Sequence, residues 1–134
     1  MIKMKNIKTC FFDVDNTLVK TYVNERPEGS ILVPSWSAVS IVAIKQHVDA
    51  IKSFKARGMN IVVWSKGGSD WAETVIKLLD LTDYVDLIVN KPDWAFDDMP
   101  ANKILTDVIY FNEKSQEIEL PGIKNDEVER IMNE

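Results

Sequence analysis

Four short apolar runs of this chain each end in polar or charged residues, and this repeated pattern constrains the fold more than any other feature. In chain order the runs end at Asp13 and Asp15, at Ser65, at Lys91, and at Asp97 and Asp98. Apolar runs of this length are typical of strands buried in a parallel sheet. Stretches with helical spacing separate the first three runs. The sequence therefore predicts an α/β fold, a three-layer α/β/α sandwich with a mainly parallel sheet.

The hydrophobic pattern also predicts the individual elements. Strands are expected at 7–14, 60–64, 86–89 and 94–96. Two extended pieces, 18–23 and 31–33, enclose a polar centre and predict a hairpin or flap over about 18–34. Apolar residues at 41, 44, 48, 51 and 54 predict a helix that is capped by Ser35 or Ser37 and ends at Gly58. A second helix is expected to be capped by Ser69 or Asp70.

The C-terminal extension, about residues 105–134, carries weaker signals. Alternation at 108–112 and 117–120 predicts a hairpin at the sheet edge, and Asn125 or Asp126 is expected to cap a last helix that ends near Met132. We find no repeat and no linker, so residues 1–134 are expected to form a single domain.

Composition restricts the function classes. The formal net charge of −5 gives no basic surface for nucleic acid and argues against a nucleic-acid partner. The single cysteine, Cys10, lies in a predicted core strand and is expected to be a buried hydrophobe. With no signal sequence and no apolar stretch near ~18 residues, we expect a cytoplasmic protein without a membrane span.

Asp13 and Asp15 are the most informative pair of side chains. Because strand side chains alternate, both carboxylates face the same way as the strand passes into a loop. Two adjacent acids repel each other and favour a divalent cation or a shared proton, although an Asp-Asn turn is the simpler structural alternative.

The carboxyl ends of parallel strands meet at one edge of a sheet, so the four polar run ends are expected to converge. They supply paired acids, a hydroxyl, an ammonium group and a further acid. This set suits phosphoryl transfer through a carboxylate nucleophile, in which Mg²⁺ offsets the charge between carboxylate and phosphate.

In these motifs the chain resembles the haloacid dehalogenase-like hydrolases, in their phosphatase branch. The Asp-x-Asp-x-Thr signature is present as Asp13-Val14-Asp15-Asn16-Thr17, and the other strand ends supply the remaining motifs in order over about residues 7–100. The resemblance implies a Rossmann-like fold and a Mg²⁺-dependent phosphomonoester hydrolase. The spaces where such enzymes insert a cap domain are too short here, so no cap domain is expected.

The resemblance also implies roles for individual residues. Asp13 is expected to be the nucleophile and a Mg²⁺ ligand, and Asp15 the general acid and base, with its carbonyl on the metal. Ser65 and Gly67 are expected to bind phosphate, and Lys91 to hold nucleophile and phosphate together. Asp97 completes the metal shell, with Thr17 and Asp98 in support.

Several alternatives stay open at this stage. Lys66 or Lys103 could replace Lys91, and Asp98 or Asp93 could replace Asp97. The only histidine, His47, is expected on the solvated side of the first long helix, and Trp64 and Trp71 are expected in the core. The substrate could be a phosphorylated small molecule or a phosphoprotein. A phosphotransferase or a non-catalytic scaffold would use the same fold, and an oligomer is possible.

Overall fold

The parallel sheet is built from the first three predicted core strands. A computed structural model describes residues 7–109, 129–131 and 133. Its elements are β1 (Thr9–Asp13), β2 (Val19–Val23), β3 (Ile31–Leu32), β4 (Val39–Ala43), α1 (Lys45–Ala56), β5 (Asn60–Ser65), α2 (Ser69–Leu78), a 3₁₀ turn (Thr82–Tyr84), β6 (Leu87–Asn90) and α3 (Ala101–Ile104). Over these described ranges, no helix is long and apolar enough to cross a membrane.

The strands of this sheet run parallel in the order β1-β5-β6. Parallel neighbours need a crossover connection, and α1 and α2 supply one each and pack on β5. Phe54 of α1 and Ile61 and Val63 of β5 are fully buried between these elements. The register pairs Asp13 with Trp64 and Ser65 with Asn90, so the polar ends of the strands lie at one edge. The α/β fold with a parallel sheet is confirmed.

The segment between β1 and α1 differs from the sequence-based prediction. β2 and β3 do not form a hairpin with each other, because β4 lies between them and pairs antiparallel with both. β4 occupies residues that were expected to begin the first helix. That helix begins at Lys45 after Ile44, so the prediction of a Ser35 or Ser37 cap is wrong. Its predicted end is confirmed, since Gly58 adopts φ +91° directly after the helix.

Between β6 and α3 the chain is irregular, and the predicted strand at 94–96 is wrong. Trp94 is 90% exposed and Phe96 is fully exposed, and neither has a strand partner among residues 7–109. Three residues make too few ladder hydrogen bonds to hold a strand when their side chains gain no burial. Residues 108 and 109 are not in a strand, and the rest of the predicted hairpin at 108–112 and 117–120 lies outside the described residues. Of the predicted last helix, residues 129–131 are helical, as is 133.

Cys10 was expected to be a buried hydrophobe, and it is partly buried and packs against the core. It lies in β1, where burial raises the pKa of its thiol to about 11. The thiol is therefore protonated at neutral pH and is a poor nucleophile, because the thiolate is the reactive form.

Asp86 fastens the start of β6 to β5. Its backbone N–H donates to the Ile61 carbonyl at 2.8 Å, its Oδ2 accepts the Ile61 N–H at 2.7 Å, and its Oδ1 contacts Lys55 Nζ at 2.6 Å. The hydrogen bonds from Lys55 and Ile61 hold the pKa of this carboxyl below the usual 3.8. Because the pKa of Asp86 is lower in the folded state than in the unfolded state, its ionised carboxylate stabilises the fold at any pH above the unfolded-state pKa. This stabilisation is lost as the pH falls through the folded-state pKa.

The Asp86→Asn substitution should therefore lower the free energy of unfolding at pH 6 by about 1 kcal/mol, a modest amount because the side chain is partly exposed. The deficit should shrink as pH is lowered below 3.8. Denaturant unfolding at a series of pH values measures it, with Asp83→Asn as the matched control on the exposed 3₁₀ turn. An equal deficit at pH 6 and pH 3 would contradict the assignment.

Candidate active site

A tight turn directly after β1 presents the two acids. The Val14 carbonyl accepts the N–H groups of Thr17, Leu18 and Val19 at 2.9–3.2 Å. Asn16 adopts φ +61°, a left-handed conformation that asparagine tolerates better than most residues. Val14 is fully buried, whereas Asp13 and Asp15 on either side of it are only partly buried. The anchored Val14 thus leaves both acids at the surface of the sheet edge.

Thr17 ties this turn to the nucleophile candidate and to α1. Its Oγ1 lies 3.5 Å from Asp13 Oδ2, and its carbonyl accepts a hydrogen bond from His47 Nδ1. His47 is 1% exposed, so the prediction of a solvated histidine is wrong. The helical spacing of the sequence indicates that His47 is buried, because it lies three residues after Ile44 and four before Ile51, both of which are buried.

Asp15 is held by donors from two other elements. Trp71 Nε1, on α2, lies 3.2 Å from each carboxylate oxygen of Asp15, and Thr21 Oγ1, on β2, lies 3.2 Å from Oδ1. The tryptophan was expected in the core, and at 8% exposure it is buried, but its polar atom faces the acid. No short-range pattern shows this contact, because 56 residues separate the two side chains.

Ser65 ends β5 beneath the start of α2. Its Oγ accepts the Gly67 N–H at 3.0 Å, and the side chain is 1% exposed. A Cβ on Gly67 would lie only 3.1 Å from Trp71 Cδ1 and 3.3 Å from Ser65 Oγ, so glycine allows the close approach at this position. Because the Oγ accepts from Gly67, its own O–H stays able to donate to an anion.

The cap of α2 comes from elsewhere in the chain. Gly68 is the N-cap residue with φ +104°, and Ser69 and Asp70 lie inside the helix, so the prediction of a Ser69 or Asp70 cap is wrong. Asn90, at the end of β6, accepts the Ser69 N–H at 2.6 Å. Asn90 was not predicted as a functional residue, since this cap depends on strand pairing rather than on neighbouring residues.

Lys91 follows β6 and reaches back over β5. Its N–H donates to the Ser65 carbonyl at 3.0 Å, and its Nζ lies 5.7 Å from the centre of the Trp64 ring. Trp64 is the strand partner of Asp13. The ammonium group therefore rests on the aromatic side chain adjacent to the nucleophile candidate, in the geometry of a cation–π contact.

The alternative lysines lie in more exposed settings. Lys66 is 69% exposed and pairs with Asp93 at 3.7 Å, and Lys103 is exposed on α3. This placement favours Lys91 among the three.

Asp97 and Asp98 lie on the exposed irregular segment after Lys91. Asp97 Oδ1 accepts the Met99 N–H at 2.9 Å. Within the described part of the chain, no three His, Cys, Asp or Glu side chains are grouped to hold a metal ion. The structure therefore does not bring Asp97 to Asp13 and Asp15, and its role as a ligand stays a prediction.

The remaining predicted residues are joined by a continuous series of contacts. Asp15 contacts Trp71, which packs against Gly67. The Gly67 N–H donates a hydrogen bond to Ser65 Oγ, and the Lys91 N–H donates one to the Ser65 carbonyl. Lys91 lies over Trp64, the partner of Asp13. The ends of neighbouring parallel strands therefore hold two partly buried carboxylates, a buried hydroxyl and an ammonium group, a combination suited to binding a phosphate ester and attacking it.

Comparison with known proteins points to the same chemistry. The family model for the NLI interacting factor-like phosphatases matches residues 8–118. No curated protein and no solved structure gives a significant match. The matched range includes all the predicted site residues from Asp13 to Asp98.

Proposed function

Because this chain belongs to the NLI interacting factor-like phosphatases, a haloacid dehalogenase-like family, we propose that it hydrolyses phosphomonoesters through an aspartyl-phosphate on Asp13. The family makes the protein a phosphatase. The observation that carries the finer proposal is the position of Asp13. It ends β1 beside a second acid and in register with the aromatic residue beneath Lys91.

In the first step, an Asp13 carboxylate oxygen forms a bond to phosphorus as the bond from phosphorus to the ester oxygen breaks. The leaving oxygen takes the bonding electron pair, and Asp15 gives it a proton. In the second step, a water molecule attacks phosphorus and gives a proton back to Asp15, and the bond to Asp13 breaks. The products are an alcohol and inorganic phosphate, and both acids return to their starting state.

The other residues bind and orient the phosphate. The Ser65 hydroxyl donates to a phosphate oxygen while Gly67 N–H holds its Oγ in place. Lys91 offsets the negative charge that gathers as carboxylate and phosphate approach. Thr17 holds the turn that carries Asp13.

Mg²⁺ fits the donors at this edge. The ion is ordinarily bound by one or two carboxylates together with water and substrate phosphate, and Asp13 and Asp15 supply the carboxylate and carbonyl oxygens. Asp97 is the candidate for a further ligand, with Asp98 in support. When bound, Mg²⁺ would lower the repulsion between carboxylate and phosphate.

For the substrate, we propose a phosphoprotein or a phosphorylated small molecule. An edge without a cap domain is open, and the family description names an interacting factor, which favours a protein substrate. The net charge of −5 is unfavourable for nucleic acid, whose binding relies on Lys and Arg contacts. A cytoplasmic location is also proposed, because the single cysteine, Cys10, cannot form a disulfide within the chain.

Phosphate release from p-nitrophenyl phosphate tests this function. We expect turnover with Mg²⁺ and a loss of at least about 100-fold when EDTA replaces the metal, because the uncompensated charges would repel each other. Excess Mg²⁺ added after EDTA should restore the rate and serves as the control for irreversible damage. Equal turnover in the two conditions would contradict the role of the metal.

A further inference from the structure

Trp71 makes the most specific contact to the proposed general acid. Its single N–H is placed 3.2 Å from both carboxylate oxygens of Asp15, so the indole lies across the carboxylate rather than at one side. A buried tryptophan usually satisfies its N–H, and here the partner is an acid of the site rather than a backbone carbonyl.

The indole has little freedom to move away from this position. Trp71 is in the first turn of α2 and is 8% exposed. One side of the ring lies close to Gly67, where a Cβ would be 3.1 Å from Cδ1. Its ring also stacks on Trp36 with 5.5 Å between centroids and 33° between planes. The orientation of the donor is therefore fixed by packing before any substrate binds.

A second donor restrains the same carboxylate from β2. Thr21 Oγ1 lies 3.2 Å from Asp15 Oδ1. Two donors on two elements restrict the rotation of one short side chain, which lowers the entropy lost when it is aligned with a leaving group.

From these contacts we infer that Trp71 is a positioning residue, which holds the Asp15 carboxyl in the orientation that delivers its proton to the leaving oxygen. The inference rests on the proposed function. It adds to that function a dependence on the substrate, because the contribution of Trp71 to kcat should be larger for leaving groups that need a proton. A nitrophenolate leaves readily without a proton, whereas an alkoxide needs one.

The test compares Trp71→Phe with the wild type on p-nitrophenyl phosphate and on β-glycerol phosphate. Phenylalanine keeps an aromatic ring for Trp36 to stack on and removes the N–H. We expect kcat to fall about 10- to 100-fold for the alkyl ester and less than about threefold for the aryl ester, since misalignment of a catalytic group costs up to about 10²-fold. KM should change little for either ester. Trp94→Phe is the matched control, because Trp94 is 90% exposed.

Thr21→Val is the second variant, in case the buried substitution impairs folding. Thr21 is exposed, so the change should be tolerated, and it removes the other donor to Asp15. We expect a smaller fall in kcat than in Trp71→Phe, and again a larger fall for the alkyl ester than for the aryl ester. Equal losses on both esters in either folded variant would overturn the inference, because a general loss of structure would not discriminate between leaving groups.

The contact itself is measurable without turnover. In a ¹⁵N–¹H spectrum the Trp71 indole signal is the one that disappears in Trp71→Phe. It should move in Asp15→Ala, while the signal of exposed Trp94 stays in place. A Trp71 signal that does not move would overturn the inference. If the signal moved but the wild type released phosphate from no ester, the positioning contact would stand and the phosphatase proposal would fail.

Discussion

Asp13→Asn is expected to leave the fold intact and to slow phosphate release by at least about 10⁴-fold, the scale of loss seen when a covalent nucleophile is removed. An amide cannot form the acyl-phosphate bond. It keeps the size of the side chain and an oxygen that can accept the Thr17 hydroxyl, which lies 3.5 Å from the carboxylate. The measurement is kcat on p-nitrophenyl phosphate with Mg²⁺, beside circular dichroism and the midpoint of thermal unfolding.

Asp49→Asn is the matched control for this substitution. It makes the same chemical change on α1, where Asp49 is 53% exposed and pairs only at the surface with Lys45 at 2.7 Å. Its rate should stay within about twofold of the wild type, as exposed ion pairs contribute little. Substantial turnover by purified Asp13→Asn would rule out Asp13 as the nucleophile.

Lys91→Met should produce the second largest effect, a fall in kcat of about 10²- to 10³-fold. Methionine keeps most of the length of the side chain and removes the charge that lies 5.7 Å from the Trp64 ring centre. The backbone hydrogen bond from Lys91 N–H to the Ser65 carbonyl does not depend on the side chain, so the strand end should keep its position. The loss should therefore report the missing charge at the phosphate rather than a displaced loop.

Lys66→Met and Lys103→Met are the controls, because the sequence leaves these two lysines open as alternatives. Lys66 is engaged with Asp93 at 3.7 Å and is 69% exposed, and Lys103 is exposed on α3. Each substitution should change kcat by less than about threefold, as expected of exposed charges. A larger loss in Lys66→Met than in Lys91→Met would transfer the phosphate-binding role to Lys66.

The parallel sheet could be predicted because each of its strands is encoded by a pattern of neighbouring residues in the sequence. Each of β1, β5 and β6 is a short apolar run, and the helical spacing of α2 lies between two of them. β4 was not predicted, since Ile41 falls by coincidence on the helical spacing of residues 44, 48, 51 and 54. Its strand structure depends on ladder pairing with β2 and β3, which no sequence window contains.

The difference between local patterns and contacts across the fold also explains which residues of the candidate site could be predicted. Asp13, Ser65 and Lys91 were predicted as one group because each ends or follows a core strand, and a parallel sheet brings such ends together. Their catalytic roles stay predictions. Trp71 and Asn90 act through contacts across the fold, at sequence separations of 56 and 21 residues. Apolar character alone was insufficient at 94–96, where Trp94 and Phe96 remain exposed and are not buried by the described part of the chain.

An aspartyl-phosphate on Asp13 can be detected directly from the mass of the peptide that carries Asp13 after rapid acid quenching during turnover. Acid preserves an acyl phosphate for long enough to detect it. We expect a peptide that is heavier by one phosphoryl group, with the modification on Asp13, and expect hydroxylamine to remove this group. Turnover without this adduct, or with the phosphoryl group on another side chain, would contradict an aspartyl-phosphate mechanism at Asp13.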